Sequence, residues 1–466
     1  INKDGVFNEK AGMLKGLRTK EAREKIIREL EKTGHVVKKE PLKHVVNTHE
    51  RCKTPIEILT AKQWFVKYLD LKDEFITRSE EIRWIPGYMK KRLDNWVHGL
   101  KWDWNISRQR YYGIPFPVWY CKKCGKVKLA EEKQLPVDPL KDKPRGKCEC
   151  GSTAFEPERD TFDTWFTSSL TPQINGRWVE KNKLFGRIFP MDLRPQGHDI
   201  IALWAFNTIV KALFHQRKMP WRNVMINGWA LDPKGKKMSK SMGNVIAPDD
   251  MVRKYSADVL RYWAGLPTLG EDIPFMEKEM VAGKKFLVKM YNASRFVASA
   301  TKEVKPRKLN RKELQPEDKF ILSKLNNLIK EATGAFERYE FSKALNPTRN
   351  FFWLLFADYY IEEVKSRVYN KRDKSGRIAA AVLQETMWKC LLLLAPFLPH
   401  LTEEIAQTMF KKRLKEKSIH QEQWPKADEK MIDSKAEKVG ELINETISLM
   451  RKEKSKAGKP LNMEVR

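Results

Sequence analysis

The chain has 466 residues, a length that predicts roughly two to four domains rather than one. With 41% hydrophobic and 11% aromatic residues it has enough apolar material for packed cores, which excludes general disorder. Lys and Arg number 90 against 60 Asp and Glu, and the net charge of +30 favours a polyanionic partner, nucleic acid first and an anionic membrane surface second.

Neither the apolar runs nor the N-terminus indicates a membrane protein. No apolar run is long enough to cross a bilayer, and the first residues carry no signal-peptide pattern. Six cysteines, four of them clustered, fit a reducing compartment with a metal site better than a disulfide framework. We therefore expect a cytoplasmic protein with no membrane partner.

The first hundred residues give mainly structural signals. Helical periodicity predicts a helix over residues 19–33, capped at Thr19 and stopped by Gly34. His49 and Cys52 have the spacing of possible metal ligands, but a structural turn is favoured because two ligands do not make a site. Residues 61–66 predict a buried strand, and residues 85–96 predict a helix with a proline in its first turn.

Two pairs of cysteines, each followed by a glycine, flank a Lys- and Pro-rich loop. They are Cys121, Cys124, Cys148 and Cys150. Four thiolates can bind one Zn²⁺ tetrahedrally, and the glycine permits the tight turn around the metal. The second pair departs from C-x-x-C spacing, and reduced, metal-free cysteines are the alternative. We predict a structural zinc, because a fourth thiolate leaves no open position for catalysis.

Residues 202–213 form a strongly apolar helical pattern, and residues 194–201 before them, RPQGHDII, resemble a strand-to-helix turn of a known family. Residues 160–170 precede it and contain the motif DTWF from Asp163 to Phe166. Ligands of open α/β sheets bind at the carboxyl ends of strands, so this turn is a candidate binding site. A core position for Trp165 is the plainer interpretation on composition alone.

The stretch 228–244, GWALDPKGKKMSKSMGN, is predicted to be a loop, since Asp-Pro and Lys-Gly are turn pairs. Its centre contains two lysines and two serines, which supply charge and hydroxyl donors for a polyphosphate. Composition alone favours a solvated, Lys-rich surface loop.

Long amphipathic helices are predicted from residue 278 onward. The clearest are 286–299, 319–339, 344–368 and 379–394, with a basic linker over 302–312 and a further helix over 441–452. The sequence PFLPHLTEE at 396–404 predicts a helix break and restart. Most apolar residues of such helices form bundle packing, and outward Lys and Arg would contact phosphates without sequence preference.

The string KMSKS followed by MGN resembles the second signature of class I aminoacyl-tRNA synthetases. Five further stretches resemble the valyl branch of that family, with the isoleucyl branch as the nearest alternative. They are DTWF, RPQGHDII, PWRNVMINGWA, DVLRYWA and the PF.PH.TEE element. The resemblance implies an α/β fold, the latter part of a Rossmann-type parallel sheet with a zinc-binding insertion, followed by an all-α anticodon-binding helical bundle. It implies an aminoacyl-tRNA ligase that binds ATP with Mg²⁺, valine and tRNA(Val).

The resemblance also implies roles for individual residues. Lys237 and Lys240 would stabilise the phosphates during catalysis, with Lys240 the stronger candidate. Other residues would form the ATP site: Gly228, Trp229, Met238, Ser239 and Ser241. The amino-acid-binding site would be formed by Trp165, Gly197, His198, Asp199 and Ile200. Within that set, Trp165 and Ile200 would shape the apolar pocket, and Asp199 would bind the amino group of the substrate. His198 is a poor candidate for a general base, because the substrate carboxylate is already ionised.

The resemblance implies boundaries along the chain. These are a remnant of the editing insertion at 1–50, the second half of the catalytic domain at 51–227 with a zinc excursion at 115–155, a signature-bearing connection at 228–285, an anticodon-binding domain at 286–425, and a C-terminal helix with a basic tail at 426–466. The family's first signature, HIGH, is absent, since none of the eight histidines stands in an H-x-G-H context.

We therefore expect one piece of a split or truncated synthetase, inactive alone and completed by an amino-terminal half that carries the HIGH segment. The alternative from another class is a non-catalytic tRNA-binding protein derived from a synthetase.

Overall fold

A computed structural model describes residues 1–2, 4–49, 52–304, 307, 309–370, 373–460 and 463. The predicted linker 302–312 and basic tail 426–466 lie partly outside the described residues, as do the two residues between His49 and Cys52. The chain divides into two compact units. The first comprises Ile1–Phe75 and Val97–Thr171, and the second comprises Ile76–Trp96 and Pro172–Arg466. None of the described helices is both long and apolar enough to cross a membrane.

The strands are short and lie in the first 274 residues. They are β1 (Phe65–Val66), β2 (Arg83–Ile85), β3 (Trp104–Asn105), β4 (Ser107–Arg108), β5 (Val118–Cys121), β6 (Val127–Leu129), β7 (Phe155–Pro157), β8 (Thr161–Phe162), β9 (Met191–Gly197), β10 (Trp221–Asn227), β11 (Ala230–Leu231) and β12 (Ile273–Pro274).

The described residues form sixteen α-helices, most of them in the second unit. They are α1 (Thr19–Lys32), α2 (Lys72–Arg78), α3 (Lys90–Gly99), α4 (Thr164–Ser168), α5 (Thr171–Asn175), α6 (Lys183–Ile188), α7 (Phe206–Gln216), α8 (Pro248–Tyr255), α9 (Ala257–Ala264), α10 (Glu277–Ala300), α11 (Pro316–Glu337), α12 (Phe341–Asn350), α13 (Ile361–Tyr369), α14 (Lys374–Leu394), α15 (Pro399–Met409) and α16 (Ser434–Lys456). Two π-helical stretches, Ile201–Ala205 and Phe351–Tyr360, lead into α7 and α13.

The first unit is built from small antiparallel sheets. β1 pairs with β3, β4 pairs with β8, and β5 lies between β6 and β7. Its N-terminal helix α1 begins one residue after Arg18, whose backbone N–H donates to the Glu21 carboxylate at 3.1 Å. The cap predicted at Thr19 is therefore wrong by one residue. Gly34 follows the helix with a φ of +68°, as a C-terminal stop requires.

The second unit contains the parallel sheet that the sequence predicts. β10 lies in the centre, with β2 on one side and β9 on the other, and both pairings are parallel. Val224 and Ile226, which point to the same face of β10, are fully buried, so this face of the sheet is covered. The carboxyl ends of β9 and β10 lie side by side, because Gly197 pairs with Asn227.

A helical bundle follows the sheet and has its own apolar core. Leu325 on α11, Phe352 in the second π-helical stretch and Leu391 on α14 are each completely buried in it. The predicted helices are confirmed, although α10 and α11 begin earlier than expected and the predicted helix 344–368 contains the π-helical stretch. The predicted break is also confirmed, since α14 ends at Leu394 and α15 begins at Pro399.

Two predictions from the N-terminal half are wrong in detail. Ile85 belongs to β2, where it pairs with Met225, and the helix begins only at Lys90. Pro86 has no N–H to continue the ladder, so the strand ends there and a short turn over Gly87–Met89 precedes the helix. The predicted buried strand 61–66 is reduced to β1, where Phe65 remains half exposed, because only β3 pairs with it.

Candidate active site

The candidate site lies where the parallel strands β9 and β10 end. β9 ends at Gly197, and the next three residues form a single turn, His198–Ile200, before the π-helical stretch and α7. The predicted strand-to-helix turn is thus confirmed, and it stands at the edge of the sheet where open α/β folds bind ligands. A side chain at Gly197 would come within 2.8 Å of the Asp199 carboxylate, so glycine keeps this turn tight.

His198 is almost fully buried, and both of its ring nitrogens have partners. Its Nδ1 lies 2.9 Å from an Arg92 guanidinium nitrogen, and its Nε2 lies 3.0 Å from Oδ1 of Asp272. The ring also packs against the Trp229 indole, with 4.5 Å between centroids. Neither nitrogen is available to a substrate proton, which argues against His198 as a general base.

Trp229 is anchored through its backbone. Its N–H donates to Oδ1 of Asp272 at 2.7 Å, and its C=O accepts from the N–H of Ile273 at 2.8 Å. The backbone N–H of Trp229, followed by the His198 ring, lowers the pKa of Asp272 below its ordinary value. Gly228 makes this approach possible, because a Cβ there would lie 2.0 Å from the carbonyl oxygen of Glu271.

Lys237 of the KMSKS string contacts two of the predicted site residues. Its Nζ lies 3.2 Å from Oδ2 of Asp199 and 3.9 Å from the centroid of the Trp229 ring. Burial opposes ionisation of Asp199, but the hydrogen bonds from Lys237 and Trp229 and the positive charge of Lys237 together lower the pKa of this carboxyl. The structure therefore brings the signature loop to the turn after β9.

The loop holds its shape through two polar side chains, Asp232 and Asn244. The Asp232 carboxylate accepts from the N–H groups of Lys234 and Lys236 at 2.9 and 2.8 Å, and from the Asn244 amide at 2.9 Å. Asn244 in turn accepts from the N–H of Ser239 at 2.9 Å. These bonds close the loop upon itself, and the Asn244 amide together with backbone N–H groups lowers the pKa of Asp232.

The remaining signature residues divide between packing and exposure. Met238 packs against the apolar cluster that contains Val259 and Trp263. The Ser239 hydroxyl lies 3.2 Å from the Ser241 hydroxyl, and Lys240 is exposed on the turn that follows. Within the described ranges, the Lys240 ammonium forms no ion pair. An exposed ammonium beside two hydroxyls is suited to an anionic ligand.

Trp165 belongs to the first unit, whereas Gly197, His198, Asp199 and Ile200 belong to the second. It lies on α4, which Asp163 caps by accepting from the Trp165 N–H at 3.2 Å. Arg108 donates to the other oxygen of Asp163 at 2.9 Å and so fixes this cap. The joint pocket of Trp165 and Ile200 stays a prediction.

The four predicted zinc ligands come together in the first unit. All four Sγ atoms lie within 4.8 Å of one another, and the Cys121–Cys150 and Cys124–Cys148 pairs are each 3.6 Å apart. Both glycines after the pairs have positive φ, +71° and +80°, as the tight turns require. The backbone N–H groups of Cys124 and Lys123 lower the pKa of Cys121 to about 6, which favours the thiolate.

His49 and Cys52 form a turn rather than part of a larger ligand group. The N–H of His49 donates to Thr54, and Cys52 Sγ lies 3.3 Å from His49 Nδ1. Hydrogen bonds from Thr54 and then His49 lower the pKa of Cys52 to about 7. Among the described residues, the four-cysteine cluster is the only group of three or more potential metal ligands of the His, Cys, Asp and Glu types.

Comparison with protein families decides what kind of chain this is. Residues 9–276 match the family of tRNA synthetases class I (I, L, M and V). The chain belongs to the class I tRNA synthetases. Residues 318–466 match the anticodon-binding domain of tRNA ligases, which agrees with the helical bundle.

Curated relatives place the sequence near one branch of the family. The chain is 46% identical to the valine--tRNA ligase of Pyrococcus abyssi over 99% of its length, 45% identical to that of Thermoplasma acidophilum over 98%, and 44% identical to that of Methanothermobacter thermautotrophicus over 99%. It covers 53%, 58% and 51% of those proteins, so it spans about half the length of the curated relatives it matches. The predicted valyl resemblance is confirmed, and neither alternative, isoleucyl or non-catalytic, is favoured.

Solved structures agree with the fold. The leucyl enzyme of Agrobacterium radiobacter K84, in a ternary complex with tRNA and LeuAMS, matches with a TM-score of 0.56 and 23% identity, over 71% of this chain and 43% of the other. The methionyl-tRNA synthetase of Mycobacterium tuberculosis with methionyl-adenylate matches with a TM-score of 0.59 and 17% identity, over 79% and 68%. At these identities the likeness shows the fold alone.

Several residues that organise the site were missed from the sequence. Arg92 and Asp272 contact His198 from 106 and 74 positions away, and no local motif marks them. Asp232 was interpreted only as a turn residue, although Asp before Pro-Lys-Gly is a common signal for side chain to backbone bonds in a turn. Asn244 stood inside the signature stretch without an assigned role.

Proposed function

We propose that this chain acts in the ATP-dependent joining of valine to tRNA(Val), as part of an assembly or longer protein that contains the remaining length of its relatives. The observation that carries the proposal is the match to valine--tRNA ligases across nearly the whole chain. The position of the KMSKS loop at the carboxyl edge of the parallel sheet supports it. In this proposal the chain alone is inactive, and the HIGH segment lies in the remaining part of the assembly or longer protein.

The first step would be attack of the valine carboxylate on the α-phosphate of ATP, which forms the aminoacyl adenylate and releases pyrophosphate. Negative charge grows on the leaving pyrophosphate, so fixed cations lower the barrier. Lys240 is the strongest candidate for this role, because it is exposed and without an ion pair among the described residues. The rest of the ATP site would be formed by Lys237, Met238, Ser239, Ser241, Gly228 and Trp229. Mg²⁺ would accompany the phosphates.

Valine would bind at the turn after β9. Asp199 is suited to receive an ammonium group, since it already holds that of Lys237 at 3.2 Å. Gly197 and His198 shape the turn, and Ile200 would supply an apolar wall with Trp165. Transfer to tRNA would follow by attack of a terminal ribose hydroxyl on the acyl carbon, with AMP as the leaving group.

The four cysteines would bind one structural zinc. A tetrahedral zinc with bonds of about 2.3 Å places its sulfur atoms about 3.8 Å apart, close to the 3.6 Å of the two measured pairs. The ion would join the end of β5 to the loop that carries Cys148 and Cys150. Four protein ligands leave it no open position, so its contribution is to folding and not to the reaction.

The helical bundle and the basic surface would bind tRNA. The net charge of +30 supplies attraction to phosphates, and affinity of this kind falls steeply with salt. The predicted domain boundaries remain proposals, with the catalytic part ahead of the bundle.

Valine-dependent exchange between ATP and pyrophosphate tests the proposal. The chain is assayed alone, and then with the part of a relative such as the Pyrococcus abyssi ligase that this chain does not cover. We expect exchange with valine in the mixture and none with either piece. Exchange with isoleucine instead of valine would show that valine is not the amino-acid substrate. Absence of exchange when both pieces are folded and associated would reject the ligase function.

A further inference from the structure

The buried contacts of His198 join three parts of the second unit. Arg92 is on α3, His198 follows β9, and Asp272 precedes β12. We propose that Arg92 and Asp272 are positioning residues. They fix His198 as a neutral ring protonated on Nε2, and Asp272 thereby holds Trp229 and the start of the KMSKS loop in place. The catalytic consequence of this arrangement rests on the proposed function, but the arrangement itself does not.

The state of the imidazole follows from the chemistry of its partners. A guanidinium only donates hydrogen bonds, so Nδ1 of His198, 2.9 Å from Arg92, must present its lone pair. Nε2 faces a carboxylate oxygen at 3.0 Å, which only accepts, so Nε2 must carry the hydrogen. A ring that accepts at one nitrogen and donates at the other is neutral. The two partners therefore select the same single tautomer from opposite sides.

Asp272 does more than orient the ring. The same oxygen, Oδ1, accepts from His198 and from the N–H of Trp229 at 2.7 Å. The next residue, Ile273, donates its N–H to the carbonyl of Trp229 at 2.8 Å. Both backbone groups of Trp229 are thus held by consecutive residues of one segment. A single carboxylate oxygen joins the turn after β9 to the connection that leads into the loop.

The ring of Trp229 connects His198 to the KMSKS loop, because it contacts both. One neighbour is the imidazole of His198, with 4.5 Å between centroids, and another is the ammonium of Lys237, 3.9 Å from the ring centre. A neutral His198 is the state that suits these surroundings, because an imidazolium would face the guanidinium of Arg92. Loss of Asp272 would free both the ring of His198 and the backbone of Trp229, and would shift Lys237 with them.

The test uses the whole chain labelled with ¹⁵N-histidine and ¹⁵N-tryptophan, with His198→Gln and Trp229→Phe to assign the signals of the two residues. We expect wild-type His198 to show an unprotonated Nδ1 and a protonated Nε2 whose hydrogen exchanges slowly with water. In Asp272→Ala that hydrogen and the Trp229 amide should exchange at least about tenfold faster, as expected for loss of a charge-assisted hydrogen bond. Arg92→Ala should move the Nδ1 resonance, and Arg92→Lys, which keeps a donor, should restore it.

Two further variants keep the test decisive. Asp272→Asn retains an acceptor oxygen and should give an intermediate exchange rate if Asp272→Ala does not fold. Asp192→Ala removes an exposed carboxylate from β9 and should change neither signal. A proton on Nδ1 of wild-type His198, or a Trp229 amide that exchanges equally slowly without Asp272, would overturn the proposal.

Activity gives an independent readout. In the assembly that performs valine-dependent exchange, Asp272→Ala should lower kcat by about tenfold, because it displaces the loop that carries Lys237 and Lys240. Absence of exchange in the wild-type assembly would reject the proposed function while leaving the spectroscopic result intact. An unchanged kcat together with the altered exchange rates would show that the loop tolerates the displacement, and would overturn the catalytic part of the inference.

Discussion

The ammonium of Lys237 lies 3.2 Å from the carboxylate of Asp199, the group proposed to receive the amino group of valine. Two cations cannot share one carboxylate oxygen at full strength, so substrate and lysine compete for it. The side chain of Lys237 is about half exposed, which makes this pair a weak one that a bound ligand can displace. Binding of valine would therefore release Lys237 toward the phosphates.

Replacement of either Lys237 or Lys240 should lower kcat, but the two replacements should differ in their effect on the KM for valine. Lys237→Met removes the competitor, so we expect the KM for valine in the exchange assay to fall up to about fivefold, as the energy of an exposed ion pair allows. Lys240→Met should leave that KM unchanged and lower kcat by about 10²-fold or more, the usual cost of losing a preorganised charge in the transition state. Lys236→Met, next to the loop centre, is the control. A higher KM for valine in Lys237→Met would contradict the competition.

The pH dependence of the loop should follow Asp232. Its pKa in the folded chain is lowered by the Asn244 amide and by backbone N–H groups, so the ionised carboxylate stabilises the loop. A lowered folded pKa means that this contribution is complete above the unfolded value of about 3.9 and is lost as the pH falls through the folded value. Asp232→Asn should therefore unfold at a lower temperature than wild type at pH 7, and the difference should shrink near pH 3.

Thermal unfolding at the two pH values measures this effect, with Asp192→Asn as the matched control. Asp192 is an exposed carboxylate that pairs only with exposed Arg222 at 3.2 Å, so its replacement should have little effect at either pH. An Asp232→Asn variant as stable as wild type at pH 7 would contradict the role of the carboxylate.

The zinc proposal predicts one metal ion per chain. Metal analysis of the purified protein should give about one Zn²⁺ per molecule, and Cys124→Ser or Cys150→Ser should reduce it to near zero, because thiolates bind this ion far better than hydroxyls. Cys52→Ser is the control, since Cys52 lies in the separate turn with His49. A chelator should lower the unfolding temperature of wild type and not that of the cluster variants. Zinc that persists in both cluster variants would reject the site.

The sequence predicted the features that are local along the chain. The Cys-Gly pairs, the KMSKS loop and the helix break at Pro396 each depend on neighbouring residues, and the structure places all three as expected. β2 was missed because a three-residue buried strand that ends in Ile-Pro cannot be distinguished from the start of a helix by periodicity. The partners of His198 were missed because contacts across 74 and 106 positions arise only when the sheet brings strands together.

The packing of α16 against α11 should depend on Gly440. A Cβ at this position would lie 2.1 Å from the ring of Phe320, a distance that neither helix can accept without moving. We expect Gly440→Ala to destabilise the chain by about 1–3 kcal/mol, the usual cost of overpacking. Gly334→Ala is the matched control, since it adds the same methyl group to α11 but meets only the end of the Arg338 side chain at 3.2 Å. That change should be neutral or stabilising by about 0.5–1 kcal/mol, because alanine favours helix over glycine. Urea unfolding followed by circular dichroism compares the two variants, and equal stabilities would show that α16 does not need the close approach.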